Sequence, residues 1–230
     1  MSSAVLLSLH QQLKKCFETL KANKSVWDSE LAECEPLMSS LGNLAVQLKA
    51  LKNVQIANTP LANFPSLQER LHYKLSLAVD AVLGKLAEKM DAVQRVRDAI
   101  SQQVSAVFQF YEKNTDTLDI AGCVSRSAIC PSISDMLEWL QDAARYYRLQ
   151  LVQRRNLLQS LTPSDLTLME TAPKRWESLH SASGERELQM HCVKYRSSWR
   201  LNECQLFYQV ISTSCVGCCS QFGNEGSLKN

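Results

Sequence analysis

Pro131-Ser132-Ile133-Ser134-Asp135-Met136-Leu137-Glu138-Trp139-Leu140-Gln141-Asp142 reads as the opening of a helix. Ser132 or Ser134 can accept hydrogen bonds from the free N–H groups of a first turn, and Asp135 and Glu138 set negative charge against the positive end of the helix dipole. From Ile133 the apolar residues recur at Leu137, Leu140, Ala144, Tyr147 and Leu151, steps of four and three that keep them on one face. A helix patterned in this way has to bury its stripe against other helices. The pattern itself carries no chemistry.

The same period extends outward in both directions. Leu6, Leu9, Leu13, Cys16, Phe17 and Leu20 form one stripe; Trp27, Leu31, Cys34, Met38, Leu41, Ala45, Leu48 and Leu51 form the next. Pro36 falls inside the second and is expected to kink or divide it, because proline removes a helical hydrogen bond and clashes with the preceding turn. Residues 53 to 65, with three Asn, Thr59 and two Pro, read as a loop. The longest element is expected from Pro65 to about Asn114, with Leu67, Leu71, Leu75, Ala78, Val82, Leu86, Val93, Val96, Ile100, Val104, Val107 and Tyr111 along its stripe. At about 70 Å such a helix needs other long helices beside it, from this chain or a partner. A second loop is expected from about 114 to 131, followed by the helix that opens at Ser132 and runs to about Ser160. Thr162 then caps a further helix with Pro163 at its first position, cut short by Pro173.

Strand patterns are nearly absent before residue 190. The expected fold is therefore all-α: an elongated antiparallel bundle of long helices with coiled-coil-like packing over residues 1–180. Past about Gly184 the helical period fades, Tyr208-Gln209-Val210-Ile211-Ser212-Thr213 is weakly strand-like, and glycines gather near the end. Residues 181–230 are read as an irregular, poorly ordered, Cys-rich tail.

Composition narrows the function. A net charge of +2 over 230 residues is no electrostatic footprint for nucleic acid, so any such contact needs a local patch. No apolar run is long enough to span a membrane, and the N-terminus lacks the basic region of a signal peptide. The nine cysteines include Cys16, Cys34, Cys123 and Cys130 at irregular spacing and five more after residue 190, which suits reduced thiols inside a cell better than a disulfide framework.

Cys215-x-x-Cys218-Cys219, with His191, Cys192 and Cys204 upstream, invites a zinc or redox reading. The spacing matches no standard zinc knuckle, and no βαβ context is predicted for a redox pair, so an incidental Cys-rich tail is the plainer reading. Neither a phosphate-binding glycine loop nor a nucleophile elbow occurs, which points away from an enzyme and from any cofactor or metal. The local patch that stands out is Arg145-Tyr146-Tyr147-Arg148 with Arg154-Arg155. Interleaved cations and aromatics contact phosphates and bases, but Tyr, Trp and Arg also concentrate binding energy at protein interfaces. A solvated face with Tyr147 in the core explains the same residues without any partner. For a partner-binding face the candidates are Met136, Trp139 and Tyr146 at the border of the buried stripe, with Arg145, Arg148 and Arg155 beyond it.

Taken together, several blocks resemble the AIRIM family of ribosome maturation factors that interact with AAA+ ATPases. They are the 131–142 segment, Leu13-Lys14-Lys15-Cys16-Phe17, Pro36-Leu37-Met38-Ser39-Ser40-Leu41, Phe64-Pro65-Ser66-Leu67-Gln68-Glu69-Arg70-Leu71, Phe108-Gln109-Phe110-Tyr111-Glu112 and Pro173-Lys174-Arg175-Trp176. The resemblance covers roughly residues 1–180 in order and departs after about 184, where the family ends in a short acidic and apolar helix. It implies a non-catalytic adaptor in an assembly of AAA+ ATPases with a cyclin-dependent kinase 2-interacting protein. That assembly acts in late cytoplasmic maturation of the large ribosomal subunit precursor, by releasing a shuttling assembly factor, and in replisome proteostasis on chromatin, in cytoplasm and nucleus. Pre-ribosomal particles and chromatin would be reached indirectly. The competing reading is a helical structural factor that binds nucleic acid directly through Arg145 to Arg155.

Overall fold

A computed structural model describes residues 2–126 and 131–180. Among them there is no strand, and the chain is all-α. Five helices follow in order: α1 (Ser2–Asn53), α2 (Leu67–Lys113), α3 (Ile120–Val124), α4 (Ile133–Ser160) and α5 (Leu166–Ser178). The weakly strand-like 208–213 segment and the Cys-rich cluster lie outside the described residues, as does Cys130.

Pro36 does not divide its helix. α1 runs through it for 52 residues and is longer than α2, which has 47, so the expected ranking of the two is reversed. The proline forfeits a hydrogen bond to the carbonyl of Ala32. On either side of it Leu31, Cys34, Met38 and Leu41 are all buried along one face. Each such side chain contributes about 1.5–3 kcal/mol, enough to offset the roughly 3 kcal/mol cost of an interior proline. Pro173 is tolerated in the same way: α5 continues past it to Ser178 instead of stopping. A Cβ on Gly42 of α1 would meet the Pro173 ring at 3.0 Å, so the missing side chain there admits the ring. The cap of α5 also differs from expectation. Asp165, not Thr162, accepts from the Leu168 N–H, and Thr162–Pro163–Ser164 forms the turn before it. A carboxylate at that position adds charge attraction to the cap.

The two loops hold short helical pieces. Ile56–Asn58 and Pro60–Asn63 are 3-10 turns between α1 and α2, with the Thr59 hydroxyl accepting from Leu61 N–H. Thr115–Thr117 and α3 occupy part of the second connection.

By their contacts the residues fall into two compact units. One takes in residues up to Thr19 and Gln102–Ala143. Its core holds Leu9, Leu13, Cys16, Phe17, Val104, Val107, Ile133, Met136 and Leu140, with His10 also buried. Among the described residues the other comprises Leu20–Ser101 and residues 144–180. There α1 and α2 run antiparallel: Lys89 bonds Glu30 and Glu33, while Gln68 donates to the Leu51 carbonyl far along α1. α5 is antiparallel to α1 as well, with Gly42 on Pro173 and Lys49 on Glu170. In α1 the buried residues Trp27, Leu31, Cys34, Met38, Leu41, Ala45 and Leu48 step by four and three, the spacing of a coiled-coil seam.

Candidate docking surfaces

The start of α4 forms a capping box. The Ser132 hydroxyl accepts from the Asp135 N–H at 3.1 Å and donates to the Asp135 carboxylate at 2.7 Å, which also accepts the Ser132 N–H. Of the two serines offered by the sequence, Ser132 is the cap. Arg126 closes a fork on the same carboxylate. Burial alone would raise the Asp135 pKa, but the hydrogen bonds from Arg126 and Ser132 outweigh it and hold the carboxyl below its usual range.

The predicted partner-binding residues separate. Met136 is fully buried, in the core rather than at its border. The reason is the width of the buried face: the predicted Ile133, Leu137, Leu140, Tyr147 and Leu151 are buried, and a second row, Met136, Leu140, Ala143, Tyr147, Gln150 and Arg154, stepping by four and three, is buried beside them, while Ala144 is only half-buried. Trp139, in the same unit, is half-buried. In the other unit Arg145 and Arg148 are exposed, and Tyr146 is half-buried with its ring edge-on to Tyr147 at 5.5 Å. Tyr147 in turn packs edge-on against Trp27 at 4.9 Å. Arg155 is half-buried and ion-paired with Asp91 of α2 at 3.1 Å.

Arg154 leaves the surface patch altogether. It is 1% exposed, bonds the Gln150 side chain, and lies 5.3 Å over the Trp176 ring of α5. Burial lowers the pKa of its guanidinium. A cation over an indole face in a desolvated site is an attractive contact, so Arg154 ties α4 to α5 rather than reaching outward. In its place the outer face of α4 carries Leu149 and Val152, 53% and 45% exposed. Together with Arg145 and Arg148 they make an apolar pair beside two cations. The signal for them was present in the sequence as two aliphatic residues standing off the buried stripe.

A larger apolar surface lies on α2. The stripe predicted for this helix is buried from Leu86 to Val107; in the first turns only Val79, just off that stripe, is fully buried. Leu67, Leu75, Ala78 and Val82 are half-buried, Leu71 is 41% exposed, and Tyr73 and Leu77 are exposed on other sides of the helix. The preceding connection adds Leu61 and Phe64, also exposed. None of these residues figured among the site candidates, because the period alone places Leu67 and Leu86 on one equivalent face.

Among the described residues no group of three or more His, Cys, Asp or Glu is placed to hold a metal ion. The Cys16, Cys34 and Cys123 thiols are buried, which pushes the first two up to about 12 and about 11 and raises the third, so none offers a thiolate at neutral pH. One open cleft of about 370 Å³ is lined from the α2 side alone, by Gln68, Glu69, His72, Tyr73 and Ser76.

The model of a family described as ribosome biogenesis protein C1orf109-like matches residues 7–189. A Danio rerio protein named AFG2-interacting ribosome maturation factor is 68% identical over 188 residues, which is 82% of this chain and 93% of the relative. The Homo sapiens protein of that name is 43% identical over 175 residues, 76% of this chain and 86% of the relative. In Xenopus tropicalis the figures are 38% over 181 residues, 79% of this chain and 88% of the relative. With the match running through all five helices, the chain belongs to the C1orf109-like family of ribosome biogenesis proteins.

Proposed function

We propose that this chain is a non-catalytic adaptor that joins an AFG2-type AAA+ ATPase to precursors of the large ribosomal subunit, late in their cytoplasmic maturation. The observation that carries it is the shared length: relatives named for an AFG2 interaction and for ribosome maturation align over 86–93% of their own chains in zebrafish and human. In this reading the ATPase hydrolyses nucleotide and releases the shuttling assembly factor, while the helices here supply the docking surface. Arg145, Arg148, Leu149 and Val152 on the outer face of α4 fit that task, since arginine and aliphatic side chains together make a mixed interface. The family resemblance extends the role to a cyclin-dependent kinase 2-interacting partner and to replisome proteostasis on chromatin, with the protein in both cytoplasm and nucleus.

Direct binding of nucleic acid is the weaker reading. Of the four arginines in the 145–155 patch, Arg154 is buried and Arg155 is paired with Asp91, which leaves Arg145 and Arg148 facing outward. Two cations are few for phosphate-driven affinity.

The test uses the full chain with a purified AFG2-type ATPase. The wild type should capture the ATPase, and Arg145→Glu with Arg148→Glu should reduce capture at least tenfold at unchanged melting temperature. The chain alone should turn over no ATP. Undiminished capture by the folded double variant would remove α4 from the interface, and failure of the wild type to bind would overturn the adaptor role.

A further inference from the structure

We infer that the first turns of α2 are a docking site for an acidic amphipathic helix of another protein, a surface separate from the face of α4 and independent of which protein occupies that face. The stripe Leu67, Leu71, Leu75, Ala78 and Val82 keeps the spacing of a helix–helix seam for about 22 Å, yet it is covered only in part: Val79 beside it is fully buried, Leu67, Leu75, Ala78 and Val82 are half-buried, and Leu71 is exposed. Farther along the same helix the seam closes over completely at Leu86 and Val93. An apolar stripe left half-open on a helix is a common mark of an interaction surface.

Charge selects the occupant. Arg70, Lys74 and Lys85 each stand three positions after a stripe residue (Leu67, Leu71 and Val82), so they line one edge of it. All three are exposed, and none is ion-paired with another described residue. Glu69 and Asp80 fall on the opposite side of the helix by the same spacing, and Gln68, on the other edge, is tied to the Leu51 carbonyl of α1. The open edge thus carries cations at both of its ends. A second copy of the chain would set cations against cations in either orientation, because Arg70 and Lys74 mark one end of the stripe and Lys85 the other. The chain's own residues 181–230 hold five Lys and Arg against four Glu, and so bring no acidic rim. A helix with leucines on its seam and glutamates on its flank complements both the apolar and the charged features, in the helix-in-groove mode.

The test takes the full chain and a synthetic 21-residue helical peptide with Leu at the seam positions and Glu flanking them, alongside a second peptide with Lys in place of every Glu. The Glu peptide should bind with micromolar affinity at low salt, the Lys peptide at least tenfold more weakly, and raising the salt should narrow the gap. Leu71→Asp should abolish binding without moving the melting temperature, and Arg70→Glu with Lys74→Glu and Lys85→Glu should reverse the preference between peptides. The proposal is overturned by equal affinity for the two peptides, by no binding of the Glu peptide, or by binding that survives both sets of substitutions. A concentration-dependent dimer that Leu71→Asp dissolves would also overturn it, by making a second copy the occupant.

Discussion

The two halves of α2 have the same sequence pattern and opposite surroundings. From Leu86 to Val107 the stripe is buried to within a few per cent; from Leu67 to Val82 it lies half-open, with Leu71 41% exposed. A period of 3.6 residues reports that a helix has an apolar face. It does not report whether the covering helix belongs to the same chain. A stripe that outlasts its cover is apolar surface open to another molecule, and only burial set against periodicity tells it from core.

The sharpest contrast is between side chains that close the core and those that stand outside it. Trp176→Ala should cost about 3–5 kcal/mol, because the indole is 2% exposed and removing it also strands the buried Arg154. A melting curve decides this, and a loss below 1 kcal/mol would mean that α5 is not held through that contact. Within α2 itself, Leu86→Ala should destabilise by about 2–5 kcal/mol, whereas Leu71→Ala should stay within roughly 0.5 kcal/mol. Equal losses at the two positions, measured by chemical denaturation, would erase the difference between the halves.

Acid probes a covered polar group. Burial lowers the His10 pKa to about 4. Above pH 6.5 the imidazole is neutral in both the folded and the unfolded chain, and stability is unaffected. Between pH 6.5 and 4 the unfolded chain takes up a proton that the fold refuses, so stability falls, by up to about 3 kcal/mol once pH drops below 4. His10→Leu should flatten that part of the pH profile, and an unchanged slope in the variant would show that His10 is not the group responsible. The Asp135 carboxyl acts in the same sense: held below its usual range, it stabilises at neutral pH and that contribution fades as pH falls through its folded value. A modest effect is expected at the α4 cap. Ser132→Ala should cost about 1 kcal/mol, seen as a small drop in melting temperature with helix content otherwise retained.

Much of the fold was legible because local rules and burial agreed. The end of α4 at Ser160, the stripe of α1 and the all-α class follow from period and breakers alone. The prolines were misread because their cost is local while their tolerance is tertiary: Pro36 is held by core on both sides and Pro173 by the open space at Gly42. The candidate site was legible in part. Arg145 and Arg148 are exposed, but Met136, read at the border of the stripe, and Arg154, read in the cationic patch, are both buried because the buried face of α4 is wider than one stripe.

By itself the sequence determined which segments are helices, where their apolar faces run and which family the chain resembles, because those depend on residue types at short spacing. The tertiary structure alone decided which apolar faces find a partner inside the chain. An arginine at a seam position became a buried clamp over Trp176, while the leucines at the start of α2 stayed half-open. The physical reason is that burial is a property of neighbours distant in sequence, and no local pattern records whether those neighbours are there.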